Sequence, residues 1–144
     1  MSIQVGYNGS SYDTLRVNQG MSLRAAATAS ANVTIGPITN INAKGGVFFL
    51  DITSLPGSAS TTVALKLQMV DPGAGRFITI GTLAQRGTTG VSALVVYPGI
   101  AASAGSALAQ VSFVLPRTLQ LIASLSTGAT SKDVVFSIGM GLIV

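Results

Sequence analysis

Thr61-Thr62-Val63-Ala64-Leu65-Lys66-Leu67-Gln68-Met69-Val70 is the stretch whose reading decides the fold. Val63, Leu65, Leu67 and Met69 alternate with Ala64, Lys66 and Gln68. Successive side chains of a strand point to opposite faces, so this period of two lays four apolar side chains on one face and the polar ones on the other. Asp71-Pro72-Gly73-Ala74-Gly75 follows. Proline presets φ and glycine admits φ > 0, so the chain turns back here. Arg76-Phe77-Ile78-Thr79-Ile80 is then the second strand of a hairpin.

Outward from this hairpin the pattern repeats. Val47-Phe48-Phe49-Leu50-Asp51-Ile52 is rich in strand formers and stops at Leu55-Pro56-Gly57. Val91–Tyr97 is a strand stopped by Pro98-Gly99. Residues 101–109 are small and featureless, a loop or a short helical turn. Val111, Phe113 and Leu115 alternate up to Pro116. Leu119, Leu121, Ala123 and Leu125 alternate in the next segment, Thr118–Leu125. Thr127–Asp133 is a polar turn, and Phe136, Ile138, Met140 and Leu142 alternate through the last strand, which starts at Val134. Ser22–Ser30 is Ala-rich and has helix propensity, but it is short and lacks a strong stop signal.

Short strands with regular turns and no long helical pattern predict an all-β protein. The expected architecture is an antiparallel β-sandwich or jelly-roll-like barrel with an extended N-terminal arm. Its core spans residues 46–144. Residues 1–45 are polar and weakly periodic, interrupted by Asn8-Gly9, Asn18-Gln19-Gly20 and Gly36-Pro37. They read as an arm or as outer edge strands. The alternation predicts a core of Val63, Leu65, Leu67, Val111, Phe113, Leu119, Leu121, Phe136 and Ile138.

Composition narrows the function. The chain has 144 residues, enough for one domain of ordinary size. Charged residues are 8% against 48% apolar, and mean hydropathy is +0.61. An average soluble domain carries roughly 25% charge. There is no Glu, His, Cys or Trp. That leaves no imidazole base, no thiolate nucleophile, no disulfide and no zinc–thiolate site. Catalysis, a cofactor and a metal are therefore not expected. No apolar run approaches the roughly 18 residues of a membrane span. The start, Met1-Ser2-Ile3-Gln4, lacks the basic and apolar regions of a signal peptide. A chain with too few charges to cover its own surface is expected to bury that surface against other subunits.

The remaining motifs have plain readings. Gly73-Ala74-Gly75-Arg76 lacks the spacing and the following helix of a phosphate loop, so it reads as a hairpin turn. Asp13, Asp51, Asp71 and Asp133 are at least 20 residues apart and lack the clustering of a calcium loop. Asn8-Gly9-Ser10 and Asn32-Val33-Thr34 fit the glycosylation pattern, which carries little weight without a signal peptide. The net charge of +4 comes from scattered residues, not from the clusters with interleaved aromatics that bind nucleic acid. Arg16 and Arg24, in the polar N-terminal segment, are the candidate partner-binding anchors, because guanidinium groups pair with carboxylates.

Four motifs in order carry a resemblance: Val63-x-Leu65-x-Leu67-Gln68 before the Asp71 turn and Phe77; Tyr97-Pro98-Gly99-Ile100; Leu115-Pro116-Arg117; and Phe136-Ser137-Ile138-Gly139. Over residues 46–144 the chain resembles small virion proteins of tailed bacteriophages, β-sandwich proteins of the head-decoration or tail-associated kind. In these an aromatic often stands one residue beyond Pro-Arg, where this chain has Leu119. The resemblance implies a capsid decoration (cement) protein on the virion surface. Its partners would be the major capsid protein and further copies of itself, as a trimer, with no nucleic-acid, membrane or small-molecule partner. The alternatives are a tail-tube, terminator or fibre-associated protein and, from another class, a carbohydrate-binding module. The last would stack sugars on aromatics, of which this chain has few.

Overall fold

Alternating apolar residues and turn signals build strands along the whole described chain. A computed structural model describes residues 20–56, 61–126 and 133–143. Its strands are β1 (Gly20–Ala29), β2 (Val33–Thr39), β3 (Gly45–Ser54), β4 (Thr62–Val70), β5 (Phe77–Arg86), β6 (Gly90–Val96), β7 (Leu108–Val111), β8 (Thr118–Ser126) and β9 (Val134–Ile143). The protein is all-β, with two sheets ordered β1-β9-β3-β6-β7 and β2-β8-β4-β5.

Strand pairs nest. β1 pairs with β9, β2 with β8, β3 with β6, and β4 with β5, all antiparallel. The β3–β9 and β4–β8 ladders then complete the sheets. This wrapping of a long ribbon into two sheets is the jelly-roll topology. β7 is an addition, parallel to β6 at the sheet edge.

The core lies between the inner faces. Phe48, Leu50, Phe136 and Ile138 from the larger sheet meet Leu65, Leu67, Leu119 and Leu121 from the smaller one, all fully buried. Of the expected core, Val63, Leu65, Leu67, Leu119, Leu121, Phe136 and Ile138 are buried. Two residues differ. Val111 is half-buried, because β7 sits at the edge of its sheet and packs over β5. Its methyl group occupies the space a Cβ on Gly81 would take, 2.7 Å away, so only glycine lets β7 approach there. Phe113 is 41% exposed. β7 ends at Val111, the Ser112 hydroxyl accepts a hydrogen bond from Gly99 N, and the chain leaves the sheet before Phe113. Alternation beyond that point has no ladder to impose it. Leu115 is buried by loop packing, its N–H donating to Lys44 O.

Local expectations are met at the β4–β5 hairpin. Gly73 N donates to Asp71 Oδ1, Gly75 N donates to Asp71 O, and Gly75 takes φ +69°. Two expectations fail, at 101–109 and at Gly36-Pro37, and one weak propensity is overridden. The featureless stretch 101–109 contains the first half of β7. The Ala-rich Ser22–Ser30 lies largely in β1, since pairing with β9 overrides a weak helix propensity. Gly36-Pro37 does not end an element. It lies inside β2, where the register against β8 shifts between Ile35 and Ile38.

From Gly20 onward the N-terminal segment is built into both sheets as the edge strands β1 and β2. Arg16, Asp13, the Asn8-Gly9-Ser10 motif and most of the polar turn Thr127–Asp133 lie outside the described residues. Each sheet edge is blunted against strand addition. β1 has register shifts on both sides of Arg24, β2 contains Pro37, β7 has four residues, and Ala84 N on β5 donates to Gly105 O.

Phe136→Ala, at a fully buried site, is expected to lower unfolding free energy by about 3–5 kcal/mol in chemical denaturation. Phe113→Ala should cost under about 1 kcal/mol, the range of exposed positions. Deleting residues 1–30 removes β1 and bares β9, so that variant is expected to lose its cooperative thermal transition by circular dichroism.

Candidate interaction surfaces

Strand direction sorts the loops onto two ends of the sandwich. One end carries the β2–β3 loop, the β4–β5 turn, the β7–β8 loop, the start of β1 and the end of β9. Its two longer loops are pinned together by a buried amide. Asn40 Nδ2 donates to Ala43 O and Leu115 O, while Asn40 Oδ1 accepts from Ala43 N. Asn40 N donates to Arg117 O at 2.7 Å. Every polar atom of the side chain is used, which is what burying an amide requires.

Apolar side chains crowd this end. Met21, Ile41, Phe77, Ile78, Phe113 and Val114 all stand exposed there. Beside them an apolar cleft of about 250 Å³ opens between the sheets, bounded by Met21, Ile38, Leu115, Leu119 and Met140. Three cations share the end: Lys44, Arg76 and Arg117 are exposed on its three loops. The acid here, Asp71, is engaged in its own turn.

A second apolar surface is the outer face of the five-stranded sheet. Register aligns Ser22, Gly139, Phe49, Ala93 and Leu108 in one row across it. Gly20, Gly141, Val47, Val95 and Gln110 form the next row, and Ser137, Asp51 and Val91 a third. Asp51 is the one charged side chain in these rows. Phe49, Val91 and Leu108 are the most prominent, at 41%, 58% and 49% exposure. The outer face of the other sheet is polar. There Gln120 Nε2 donates to Gln68 Oε1, Gln68 Nε2 donates to Thr79 Oγ1, and Lys66 stands alongside.

Arg24 is placed within the chain's own structure. Its guanidinium lies 4.5 Å from the centroid of the Phe136 ring, and Nη2 donates to Ala27 O. It therefore braces the irregular strand β1. Arg86 acts similarly at the far end, where the chain crosses from one sheet to the other. Its Nη1 donates to Val91 O and to the buried Ser92 Oγ, Nη2 to Thr89 O, and Nε to Thr88 O.

Asp51, Asp71 and Asp133 lie on an outer sheet face, in a turn at one end and at the start of β9 at the other. Among the described residues no three metal-ligating side chains come together. No helix there is long and apolar enough to cross a membrane. The chain matches no protein-family model, and no curated protein matches it in sequence.

Sequence reasoning named neither surface. Lys44, Arg76 and Arg117 each adjoin a turn signal, which places them on loops. That these loops share one end depends on topology. Asn40→Ala is expected to strand Ala43 N and Leu115 O, costing about 1–3 kcal/mol. Amide hydrogen exchange should show the loss as faster exchange at Ala43, with the β4–β8 ladder unaffected.

Proposed function

We propose that this chain is a structural protein of a tailed-bacteriophage virion, of the capsid decoration kind. It binds the outer head lattice, takes the major capsid protein as its partner, and carries out no catalysis. The observation that carries the reading is the loop end, where exposed apolar side chains and three unshielded cations share one rigid platform. Such a platform suits a firm protein surface that is apolar and acidic. The four-motif resemblance supports the choice of a virion, and so does the low charge, which fits a protein that spends its working life packed against others.

The mechanism is mass action. A protein that binds only the assembled lattice adds its binding free energy to the lattice's stability. Many copies act together, so each contact can be weak. Tail association is the other reading of the same resemblance, and copy number separates them: hundreds per particle for decoration, tens or fewer for a tail component.

The test uses phage heads lacking this protein, incubated with purified chain, with bound copies counted after sedimentation. Wild type is expected to load in hundreds of copies, less at high salt. The triple variant Lys44→Glu, Arg76→Glu, Arg117→Glu should bind roughly 3- to 140-fold more weakly. Exposed pairs contribute roughly 0.2–1 kcal/mol each, and about 1.4 kcal/mol is tenfold in affinity. No head binding, or binding confined to tails, would reject the decoration reading.

A further inference from the structure

The outer face of the five-stranded sheet has a different character from the loop end. It is broad, apolar and almost free of charge. We propose that it is a homotypic interface, on which a second copy of this chain packs face to face with Phe49 of each copy seated over the other's Gly141 and Gly20. The proposal stands independently of the virion reading.

Three observations select a second copy as the occupant. The first is charge. The chain is +4 overall, yet none of the described cations belongs to this face. Lys44, Arg76 and Arg117 are on the end loops, Lys66 faces out from the other sheet, Arg86 is tied into the β5–β6 corner, and Arg24 lies over Phe136. Two such faces meet with no cation opposed to a cation, and the one charge each carries, Asp51, stands in the third row, next to Val91 and Ser137.

The second is shape. Phe49 projects from a central strand between Gly139 on one side and Ala93 on the other. Its ring leans over Gly139, where a Cβ would sit 3.9 Å from Phe49 Cδ2, yet 41% of Phe49 is still exposed. In the next row Gly141 and its partner Gly20 form an open lane: a Cβ on Gly141 would meet nothing within 4 Å, and one on Gly20 only the Met140 carbonyl oxygen at 3.9 Å. A ridge beside a lane on one face is self-complementary under a two-fold rotation, the symmetry of isologous dimers. Stacked sheets in protein interiors meet in the same way, roughly 10 Å apart.

The third is area and access. Five strands spaced about 4.8 Å apart, over about seven residues each at about 3.3 Å, give a face of roughly 550 Å² in plan. A standard interface buries about 800 Å² per partner. The face alone therefore supports a concentration-dependent dimer and not an obligate one. The blunted edges direct pairing to the face, since strand addition across β1, β2, β5 or β7 is hindered.

Sedimentation velocity on the full chain tests the proposal. The weight-average mass of wild type is expected to rise from the monomer's 14.5 kDa toward twice that value between about 1 µM and 1 mM. Phe49→Glu should hold the mass at that of the monomer across this range. Leu108→Glu, at an exposed edge position that tolerates a charge, should weaken association at least tenfold. Lys66→Glu, on the opposite face, should associate as wild type does. Circular dichroism and melting identify any variant that fails to fold, and the Leu108 variant keeps the test open if the Phe49 variant does. The proposal is overturned by wild type that stays monomeric to 1 mM, by folded Phe49→Glu and Leu108→Glu chains that associate like wild type, by dissociation on Lys66→Glu, or by a trimer, since a face meeting its own copy closes at two.

Discussion

The packing of two leucine–phenylalanine faces against one another underlies everything else in this molecule. Phe48, Leu50, Phe136 and Ile138 press on Leu65, Leu67, Leu119 and Leu121, and none of them retains more than 1% exposure. Burying a side chain of this size contributes about 1.5–3 kcal/mol. These residues come from β3, β9, β4 and β8, the central strands of the two sheets. Once the four are stacked, β1, β2, β5, β6 and β7 have only edges on which to add. The loops that connect them are then held at fixed positions on the two ends.

With so few charges, fixed positions are made by polar side chains satisfied within the chain. Asn40 holds the β2–β3 and β7–β8 loops together, and Arg86 gathers four acceptors at the corner where the chain changes sheets. Arg24 lies on the Phe136 ring where β1 departs from regular pairing. At Asn40 and Arg86 a strong donor set replaces the water that the backbone carbonyls would otherwise hold, whereas Arg24 spends Nη2 on Ala27 O and keeps its buried Nε without a partner. The cations Lys44, Arg76 and Arg117 are left exposed on the loops of one end. This division gives the molecule one rigid, basic and apolar end, and it is the physical basis for reading that end as a docking surface.

The two sheet faces divide labour in the same manner. Gln68, Gln120, Thr79 and Lys66 make one outer face polar and internally hydrogen-bonded. Phe49, Val91 and Leu108, amid glycine and alanine, make the other apolar. A charge-poor composition reads in one dimension as too little surface polarity everywhere. In three dimensions the exposed large apolar side chains of the described residues gather on one sheet face and at the basic end.

Alternation in the sequence was enough to locate most strands and seven of the nine named core positions, because a period of two has one physical meaning once a face is buried. The turn at Asp71 was equally legible, since its hydrogen bonds and its positive-φ glycine are local. Legibility stopped where a neighbour decides the outcome. Ala-rich β1 is a strand because β9 offers it a ladder. Phe113 is exposed because β7 ends at Val111 and not at Leu115. Arg24 is a brace because a bulge turns it toward Phe136. The shared end of Lys44, Arg76 and Arg117 depends on the parallel crossover into β7. Strict up-and-down succession would send the β7–β8 loop, and Arg117 with it, to the opposite end. Residue chemistry therefore determined that this chain is a β-sandwich built without imidazole, thiol or glutamate side chains. Strand order and direction, which rest on contacts between residues far apart in sequence, decided which side chains meet on one surface.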